Sequence, residues 1–477
     1  MDPAVQARAD GIMSAATMAA AVFSQYDQQQ VDRIVEAVFR AAFANRVKLA
    51  RMAHEETGLG VWQDKVIKNV IASQLVYESI RGVPTVGVIS HDEASGISEI
   101  AEPLGPVFAV TPITNPTSTA IFKILIALKT RNPIIISPHR RSQRSVAETA
   151  RICTEAALAA DAPEDCIQMA TDGSRELTQC LMSHHGMALI LATGGTGLVT
   201  AAYSSGTPAI GVGPGNVPVL IDPSANLAYA VSSILASKTF DNGTVCASEQ
   251  AIVVEQSIAG AVRAEMQRQG FFFLDCDQKA KVEGVAIDPK SGAMSPEIVG
   301  QSVESVCRLA GITVPQGTRV LVADLAAVGP EEPLSGEVLA PIIAFYVGAD
   351  ANTTAKLCVD LNYRGGMGHT ASIYANDEQR IAEFSGLMNA GRVVVNTPST
   401  QGAVGSLLNT LAPSFTLGCG SGGKNITTEN VTARHLLNIK RVCRKRPNEK
   451  WHSFDTSRYL DPAETVDGLL ADYHSDH

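Results

Sequence analysis

The sequence predicts an α/β protein with two doubly wound domains, each built around a mostly parallel sheet. From Val107 onward, short apolar runs alternate with segments of helical periodicity, which is typical of βαβ units. The chain has 477 residues, enough for two or three domains of about 150 residues each. Hydrophobic residues make up 45% of the chain and charged residues 18%, so large cores can form.

The chain begins with predicted helices. Apolar residues recur at three- and four-residue spacing between Val31 and Phe43, and we expect helix over the first 54 residues and again over 62–80. Residues 83–100 instead predict two short strands around a polar turn at 92–96.

The alternation that follows defines two predicted domains and a tail. The first half has strands at 107–110, 134–136, 167–170, 188–191 and 219–221, with helices at 118–128, 145–160, 175–183 and 225–237. The second half has strands at 250–254, 320–323, 342–347, 370–374 and 392–396, with a helix at 258–269. We therefore expect one domain over 1–235, with a hairpin at about 84–104, a second over 236–425, and a C-terminal strand and exposed tail over 426–477.

Composition argues against several classes of protein. The net charge of −10 and the pI near 5.5 disfavour a nucleic-acid partner, which needs a positive footprint. None of the nine cysteines forms a C-x-x-C pair, and the chain predicts a cytoplasmic protein with reduced thiols. We expect no signal peptide and no membrane segment. The pair His184-His185 lacks further ligands at metal spacing, so no metal is expected.

Cys246 is the cysteine whose context favours chemistry. It follows the turn signal Asn242-Gly243 and precedes the apolar run 251–254, so a loop can present the thiol at a cleft between domains. A lone cysteine is more often a small buried hydrophobic residue. The other eight cysteines are interpreted as structural.

Glycine-rich loops at 193–197 and 211–216 indicate a nucleotide cofactor, since glycine lets the backbone approach a phosphate. His139-Arg140-Arg141 follows a strand end, where an arginine could meet a ribose 2′-phosphate; a solvated basic turn is the simpler interpretation. A remote alternative is a P-loop NTPase, because residues 418–424 nearly match the nucleotide-binding pattern. Asn425 stands where that pattern needs a hydroxyl.

Taken together, these segments resemble the aldehyde dehydrogenase superfamily, and within it the coenzyme A-acylating branch. The resemblance runs from about residue 30 to about 452 and is carried by the motifs at 111–116, 202–206, 211–216, 240–250, 368–370 and 417–421. It implies a Rossmann-like cofactor domain, a catalytic domain and a hairpin that builds a homodimer or homotetramer.

The resemblance also implies roles for individual residues. Cys246 matches the nucleophile and Asn115 the side-chain amide that holds the aldehyde oxygen, while His369 is a candidate to assist the coenzyme A thiol. Glu337 matches the carboxylate that grips the nicotinamide ribose. Further cofactor contacts are expected from Thr111, Pro112, Ile113, Thr114, His139, Arg140, Gly195, Thr196 and Gly213.

One departure from the superfamily predicts the chemistry. Hydrolytic members carry a glutamate base 34 positions before the nucleophile, and here that position is Val212. Valine cannot activate water, so a thioester on Cys246 should wait for coenzyme A. We expect oxidation of a short aldehyde to acyl-CoA with NAD or NADP. Arg364, near His369, favours an anionic aldehyde such as sulfoacetaldehyde with NADP; an exposed loop arginine is as good an interpretation, and acetaldehyde or succinate semialdehyde remain alternatives.

Overall fold

The computed structural model describes residues 2–170, 174–290 and 292–475. They form two compact units: one comprises the residues up to Val83 together with Pro103–Leu437, and the other comprises Pro84–Glu102 and the residues from Asn438 onward. Among the described residues, no helix is long and apolar enough to cross a membrane.

The larger unit begins with the helices α1 (Pro3–Phe23), α2 (Gln28–Ala44), α3 (Arg46–Thr57), α4 (Trp62–Val70) and α5 (Val76–Ile80), with a π-helical turn at Ile71–Leu75. Helix α2 shows why the periodicity succeeds as a prediction. Val31, Ile34, Val35, Val38 and Ala42 form its buried face, and Asp27 and Gln30 cap its first turn reciprocally. The helix expected over 62–80 is present, interrupted by the π turn.

A five-stranded parallel sheet follows, in the order β5-β4-β3-β6-β7. Its strands are β3 (Val107–Val110), β4 (Ile134–Ser137), β5 (Ile167–Met169), β6 (Leu189–Thr193) and β7 (Ala209–Val212). They alternate with the helices α6 (Pro116–Lys129), α7 (Gln143–Ala159), α8 (Arg175–Met182) and α9 (Thr196–Tyr203). All four residues of β3 and of β4 are buried, as expected for strands covered on both faces.

The second parallel sheet has seven strands, in the order β10-β11-β12-β9-β8-β13-β14. They are β8 (Val217–Ile221), β9 (Glu249–Glu255), β10 (Phe271–Phe273), β11 (Val320–Asp324), β12 (Ile342–Gly348), β13 (Gly368–Tyr374) and β14 (Ala390–Val395). The helices between them are α10 (Leu227–Thr239), α11 (Gln256–Arg268), α12 (Cys276–Ala286), α13 (Val303–Ala310), α14 (Ala351–Gly365) and α15 (Glu378–Leu387), and α16 (Ser399–Val404) follows β14.

The smaller unit contains a three-stranded sheet, ordered β1-β2-β15, from β1 (Gly87–Asp92), β2 (Ile97–Pro103) and β15 (Leu437–Cys443). β1 and β2 form the predicted antiparallel hairpin around the turn at 92–96. After β15 the chain is largely exposed, and it forms the short helices α17 (Glu449–Ser453) and α18 (Val466–His474), which periodicity did not reveal.

The predicted fold class is confirmed, since both large sheets are parallel and alternate with helices. Two details differ from the sequence-based expectation. Sheet membership changes between Val212 and Val217, well before the boundary expected near residue 236, because β8 pairs with β9 and β13. The glycine-rich stretch 211–216 is also not wholly a loop, since Gly211 and Val212 end strand β7.

Candidate active site

A cleft of about 1080 Å³ lies at the carboxyl edge of the five-stranded sheet. Loops that follow β3, β4, β6 and β7 form one side of it, and residues near Cys246 and Glu337 contribute the other. This edge is where open α/β sheets bind nucleotides. Of the residues singled out in the sequence, those that line the cleft are Thr111, Pro112, Ile113, Thr114, Asn115, His139, Arg140, Gly195, Val212, Gly213, Cys246 and Glu337.

Two threonines in the cleft wall offer hydrogen-bonding groups to a ligand. The hydroxyl oxygens of Thr111 and Thr193 are buried and have no hydrogen-bond partner. Buried hydroxyl groups in folded proteins are normally satisfied, because leaving one unpaired costs free energy. These orphaned atoms therefore fit a polar ligand, such as a dinucleotide, at the ends of β3 and β6.

The glycines of this wall also fit a closely approaching ligand. A Cβ atom added to Gly195, Gly197 or Gly213 would meet no protein atom within 4 Å, so packing inside the chain does not require glycine there. Gly195 occupies the N-cap position of α9, whose side-chain cap is missing. Since a helix N-terminus favours anions, this wall suits a pyrophosphate. Thr196 is the first residue of α9 and does not itself line the cleft.

The basic turn after β4 contributes two of its three residues to the cleft, His139 and Arg140. Arg141 is committed elsewhere, because its guanidinium donates to the Thr57 carbonyl at 3.0 Å. Burial and the two arginines lower the pKa of His139, so Arg140 is the cation that this turn offers to the cleft. Arg175, which the sequence analysis missed, also lines the cleft from α8.

Cys246 lies in a tightly held loop between α10 and β9. A 3₁₀ turn at Phe240–Gly243 places Asp241 and Asn242 at φ angles of 51° and 53°, in the left-handed region. Gly243 follows at φ 71°, where a Cβ atom would come within 3.0 Å of the Ala340 carbonyl oxygen. The predicted Asn-Gly turn is therefore present, and it delivers a half-buried thiol to the cleft.

His369 contacts the Cys246 thiol although it does not line the cleft. Its Nε2 lies 3.1 Å from Cys246 Sγ, and its Nδ1 lies 2.9 Å from the Thr370 hydroxyl. The buried Arg392 donates to the His369 carbonyl at 2.7 Å. Burial, reinforced by Arg392, lowers the pKa of His369 to about 3, so the ring is neutral at any working pH.

The thiol itself is protonated in the free site. Burial raises the pKa of Cys246 to about 12, the Glu337 carboxyl adds to the rise, and Arg392 opposes it. Burial also raises the pKa of Glu337 to about 7; its Oε1 accepts a hydrogen bond from Gly215 N at 2.8 Å. Behind these groups, the pKa of the buried Lys238 falls to about 7, because desolvation outweighs its two carboxyl neighbours.

Asn115 is held by a buried ionic cluster that the sequence did not reveal. Lys68 donates from Nζ to Asn115 Oδ1 at 2.6 Å and also to Asp241 Oδ2. Lys65 donates to the same Asp241 oxygen at 2.9 Å. Burial lowers the pKa of Lys68 to about 8, while Asp241 opposes this shift, so the amine is mainly charged at pH 7.

The structure does not bring Arg364 into the site. It lies in the last turn of α14, and it is absent from the described residues that line the cleft. The structure therefore shows no contact between Arg364 and the cleft, and it gives no support to an anionic substrate tail there.

The P-loop hypothesis is wrong. A P-loop needs free backbone N–H groups and a helix directly after the glycines. Here Gly418, Gly420 and Gly423 donate their N–H groups to carbonyls of the chain at 2.8–3.0 Å. A single 3₁₀ turn at Ser421–Gly423 replaces the helix, and Lys424 adopts a left-handed conformation.

Comparison with known proteins agrees with this geometry. The sequence matches the aldehyde dehydrogenase family over residues 2–407. It is 44% identical over 459 residues to the bifunctional aldehyde-alcohol dehydrogenase of Escherichia coli strain K12, covering 95% of this chain and 51% of the relative. The chain thus spans about half the length of that relative.

Two other proteins match over nearly their whole length. The sulfoacetaldehyde dehydrogenase (acylating) of Bilophila wadsworthia is 34% identical over 94% of this chain and 97% of its own. The crystal structure of an acetylating aldehyde dehydrogenase from Geobacillus thermoglucosidasius superimposes with a TM-score of 0.90 at 46% identity, covering 93% of this chain and 98% of the other. With a family match over most of its length and a cysteine on a dinucleotide-type cleft, this chain belongs to the aldehyde dehydrogenase family.

Proposed function

We propose that this protein oxidises a short aldehyde to an acyl thioester on Cys246 and passes the acyl group to coenzyme A, with NAD or NADP as the hydride acceptor. The observation that carries the proposal is the contact of 3.1 Å between the Cys246 thiol and the neutral His369 ring, beside a cleft with the features of a dinucleotide cradle. The acylating relatives support the transfer to coenzyme A.

Cys246 is the proposed nucleophile and His369 its proton acceptor. We assign the neutral tautomer with its proton on Nδ1, where it donates to the Thr370 hydroxyl, because Nε2 then keeps a lone pair facing the thiol. The sulfur attacks the aldehyde carbonyl as the proton moves to Nε2, so that negative charge develops on the substrate oxygen. Because its pKa is low, the cationic His369 ring passes this proton on to water. The neutral ring can then accept the proton of the coenzyme A thiol and return it to the Cys246 sulfur as the acyl group leaves.

The developing oxyanion is proposed to be held by the Asn115 side-chain N–H and the Cys246 backbone N–H. One such donor typically accounts for a factor of about 10² to 10³ in rate. Asn115 lines the cleft, and its amide oxygen is already occupied by Lys68, so its nitrogen is the atom left for the substrate.

The cofactor would lie along the wall formed by 111–114, Gly195 and Gly213, with Glu337 at the nicotinamide ribose. When bound, the oxidised cofactor supplies a hydride acceptor and a positive charge on its ring. Such a charge beside the thiol would oppose the rise in the pKa of Cys246 and help its proton to leave. Thr111 and Thr193 would gain the hydrogen-bond partners that they lack.

Val212 supports acyl transfer over hydrolysis. It ends β7, is buried and lines the cleft, at the position of the base in hydrolytic members of the family. Among the described residues that line the cleft, Glu337 is the one that carries a carboxylate. One of its oxygens accepts a hydrogen bond from the backbone N–H of Gly215. A thioester in this setting has no carboxylate at the position of the water-activating base of hydrolytic members, and we propose that it persists until a thiol arrives.

The substrate that the cleft fits best is a short uncharged aldehyde such as acetaldehyde. The described lining residues near the Cys246 side are Thr244, Cys246, Met294, Val299, Glu337 and Leu339, a set without a cation. Sulfoacetaldehyde, our expectation from the sequence, and succinate semialdehyde would each bring an anion there without a partner. The similarity to the sulfoacetaldehyde enzyme keeps that substrate as the second candidate.

We propose that the enzyme prefers NADP to NAD, because two arginines line the cleft, one after β4 and one at the start of α8. Arg140 and Arg175 lie on the side of the five-stranded sheet, where a ribose 2′-phosphate would be accommodated. A homo-oligomer assembled through the β1-β2-β15 sheet, and a cytoplasmic location, stay predictions.

Replacing the nucleophile should abolish the reaction. We expect Cys246→Ala to lower kcat by about 10³-fold or more, with an unchanged melting temperature and unchanged cofactor binding by titration. Cys276→Ala, which removes an exposed cysteine, is the control and should behave like the wild type. Residual activity above a few per cent would contradict the assignment.

Alkylation of the free enzyme should report the raised pKa of the thiol. Because only the thiolate reacts, the rate at Cys246 should rise about tenfold per pH unit from pH 7 to pH 10 without reaching a plateau. Peptide mass spectrometry after iodoacetamide treatment measures the rate at each cysteine, with exposed Cys276 as the internal reference. A plateau below pH 9 would contradict the protonated resting state.

Turnover should depend on coenzyme A. With aldehyde and oxidised cofactor alone, we expect a single burst of reduced nicotinamide, equal to the number of Cys246 sites, and then a stall that coenzyme A releases. Stopped-flow absorbance at the nicotinamide band measures both phases. Steady formation of free carboxylic acid without coenzyme A would show a hydrolytic enzyme instead.

Removing the positive charge of Arg140 should reduce the preference for NADP over NAD. We expect Arg140→Ala to reduce the ratio of kcat/KM for NADP to that for NAD by about tenfold, since a charge-assisted hydrogen bond contributes about 1.5–3 kcal/mol. Arg141→Ala is the matched control, because its guanidinium is bonded to Thr57. A wild-type preference for NAD would refute the charge argument and leave the thioester chemistry intact.

A further inference from the structure

Asn115 occupies the N-cap position of α6 but does not cap the helix. Asparagine is favoured at this position because its side-chain oxygen can accept from the first free backbone N–H groups. The Asn115 side chain makes no such bond, although Pro116 begins the helix directly after it. Its oxygen instead accepts from Lys68 Nζ at 2.6 Å. Asn115 therefore contacts Lys68, which is distant in the sequence, and makes no side-chain hydrogen bond to the first turn of its own helix.

The contact with Lys68 decides which way the Asn115 amide points. A lysine ammonium can only donate hydrogen bonds, so the atom that faces it must be the amide oxygen. The amide nitrogen is then left for the cleft, where its nearest partner in the chain is the Thr114 hydroxyl at 3.2 Å. A flipped amide would place its N–H groups against the ammonium and offer an oxygen to the substrate oxyanion.

Lys68 is itself fixed in position. Its three N–H groups match three acceptors: Asn115 Oδ1, Asp241 Oδ2 and, at 2.9 Å, Thr244 Oγ1. The Thr244 hydroxyl donates its own proton to Asp241 Oδ2, so its lone pair faces the lysine. Lys68 and Asp241 are 2% and 0% exposed, which leaves neither side chain free to move into water.

Asp241 is held just as firmly, in the loop that carries the nucleophile. Its Oδ1 accepts from Val61 N at 2.6 Å, and its Oδ2 accepts from Lys65 Nζ at 2.9 Å. A Cβ atom on Gly60 would come within 1.9 Å of Oδ1, so the backbone packs directly against the carboxylate. Asp241 keeps a left-handed backbone conformation that costs free energy in a non-glycine residue.

We propose that Lys68, anchored by Asp241 and Thr244, is a positioning residue that fixes the Asn115 amide with its nitrogen towards the cleft and strengthens that N–H as an oxyanion donor. The ammonium charge on the amide oxygen polarises the group, and a polarised N–H binds an anion more tightly. The inference rests on the proposed function, because it requires that Asn115 binds the oxyanion during thioester formation.

A double-mutant cycle on the burst rate tests the inference at pH 7. We expect Lys68→Met to slow thioester formation by about 10- to 100-fold, with a smaller change in cofactor affinity. In an enzyme that already carries Asn115→Ala, Lys68→Met should slow the reaction by a further factor of less than about three. The amide that Lys68 positions is already absent there. Single-turnover measurement keeps the slow variants within range.

Lys65→Met is the matched control. Lys65 lies on the same helix, is equally buried and donates to the same Asp241 oxygen, but it contacts the Thr114 carbonyl rather than the Asn115 amide. The effect of Lys65→Met on the free energy of activation, whatever its size, should add to the effect of Asn115→Ala. Lys68→Arg should recover part of the rate because it restores the positive charge.

The outcomes distinguish failure of the Lys68 inference from failure of the proposed function. Additive effects of Lys68→Met and Asn115→Ala, or a folded Lys68→Met variant with more than half the wild-type rate, would overturn the inference. If Lys68→Met does not fold, Lys68→Gln replaces it in the same cycle, since its amide can still bond to Asp241. A wild-type enzyme that gives no burst would refute the proposed function itself, whereas a normal wild-type burst with additive variants refutes only the role of Lys68.

Discussion

The arrangement of the site depends on one buried carboxylate. Asp241 accepts hydrogen bonds from Val61 N and Lys65, and it pairs with Lys68, which in turn reaches Asn115. These contacts join the helix α4, the loop after β3 and the loop of Cys246. A charge without solvent is stable only when its partners stay in place, so the cluster resists any displacement of the three segments. The Cys246 loop and Asn115 are thereby held in a fixed relation although they follow strands of different sheets.

The same burial disfavours charge on the titratable groups of the site. Desolvation raises the pKa of Cys246 and Glu337 and lowers that of His369 and Lys238. Each shift disfavours a charge in the absence of a ligand. A site of this kind responds strongly to a cation or a developing anion, since water does not screen the interaction. In the proposed reaction, the bound cofactor and substrate would therefore supply charges that the free site disfavours.

Much of this could be predicted where the signal is local. Helix α2 followed from apolar spacing, and β3 and β4 followed from short runs bounded by turn residues. The prediction was wrong where the contact joins segments that are far apart in the sequence. β8 looked like part of the first domain because its neighbours in sequence are there, but its pairing partners are β9 and β13. Short amphipathic tail helices such as α18 carried too few periodic residues to stand out.

The sequence by itself determined the fold class, the strand ends that bear Thr111, Gly195 and Gly213, and the turn that presents Cys246, because each is encoded within a few neighbouring residues. The tertiary structure alone decided which polar side chains work together. Lys68 and Asp241 are 173 residues apart, and Cys246 and His369 are 123 apart. It also removed Arg364 from the cleft and added Arg175. Charged groups pair by distance in space, and only the packing of the two sheets sets that distance.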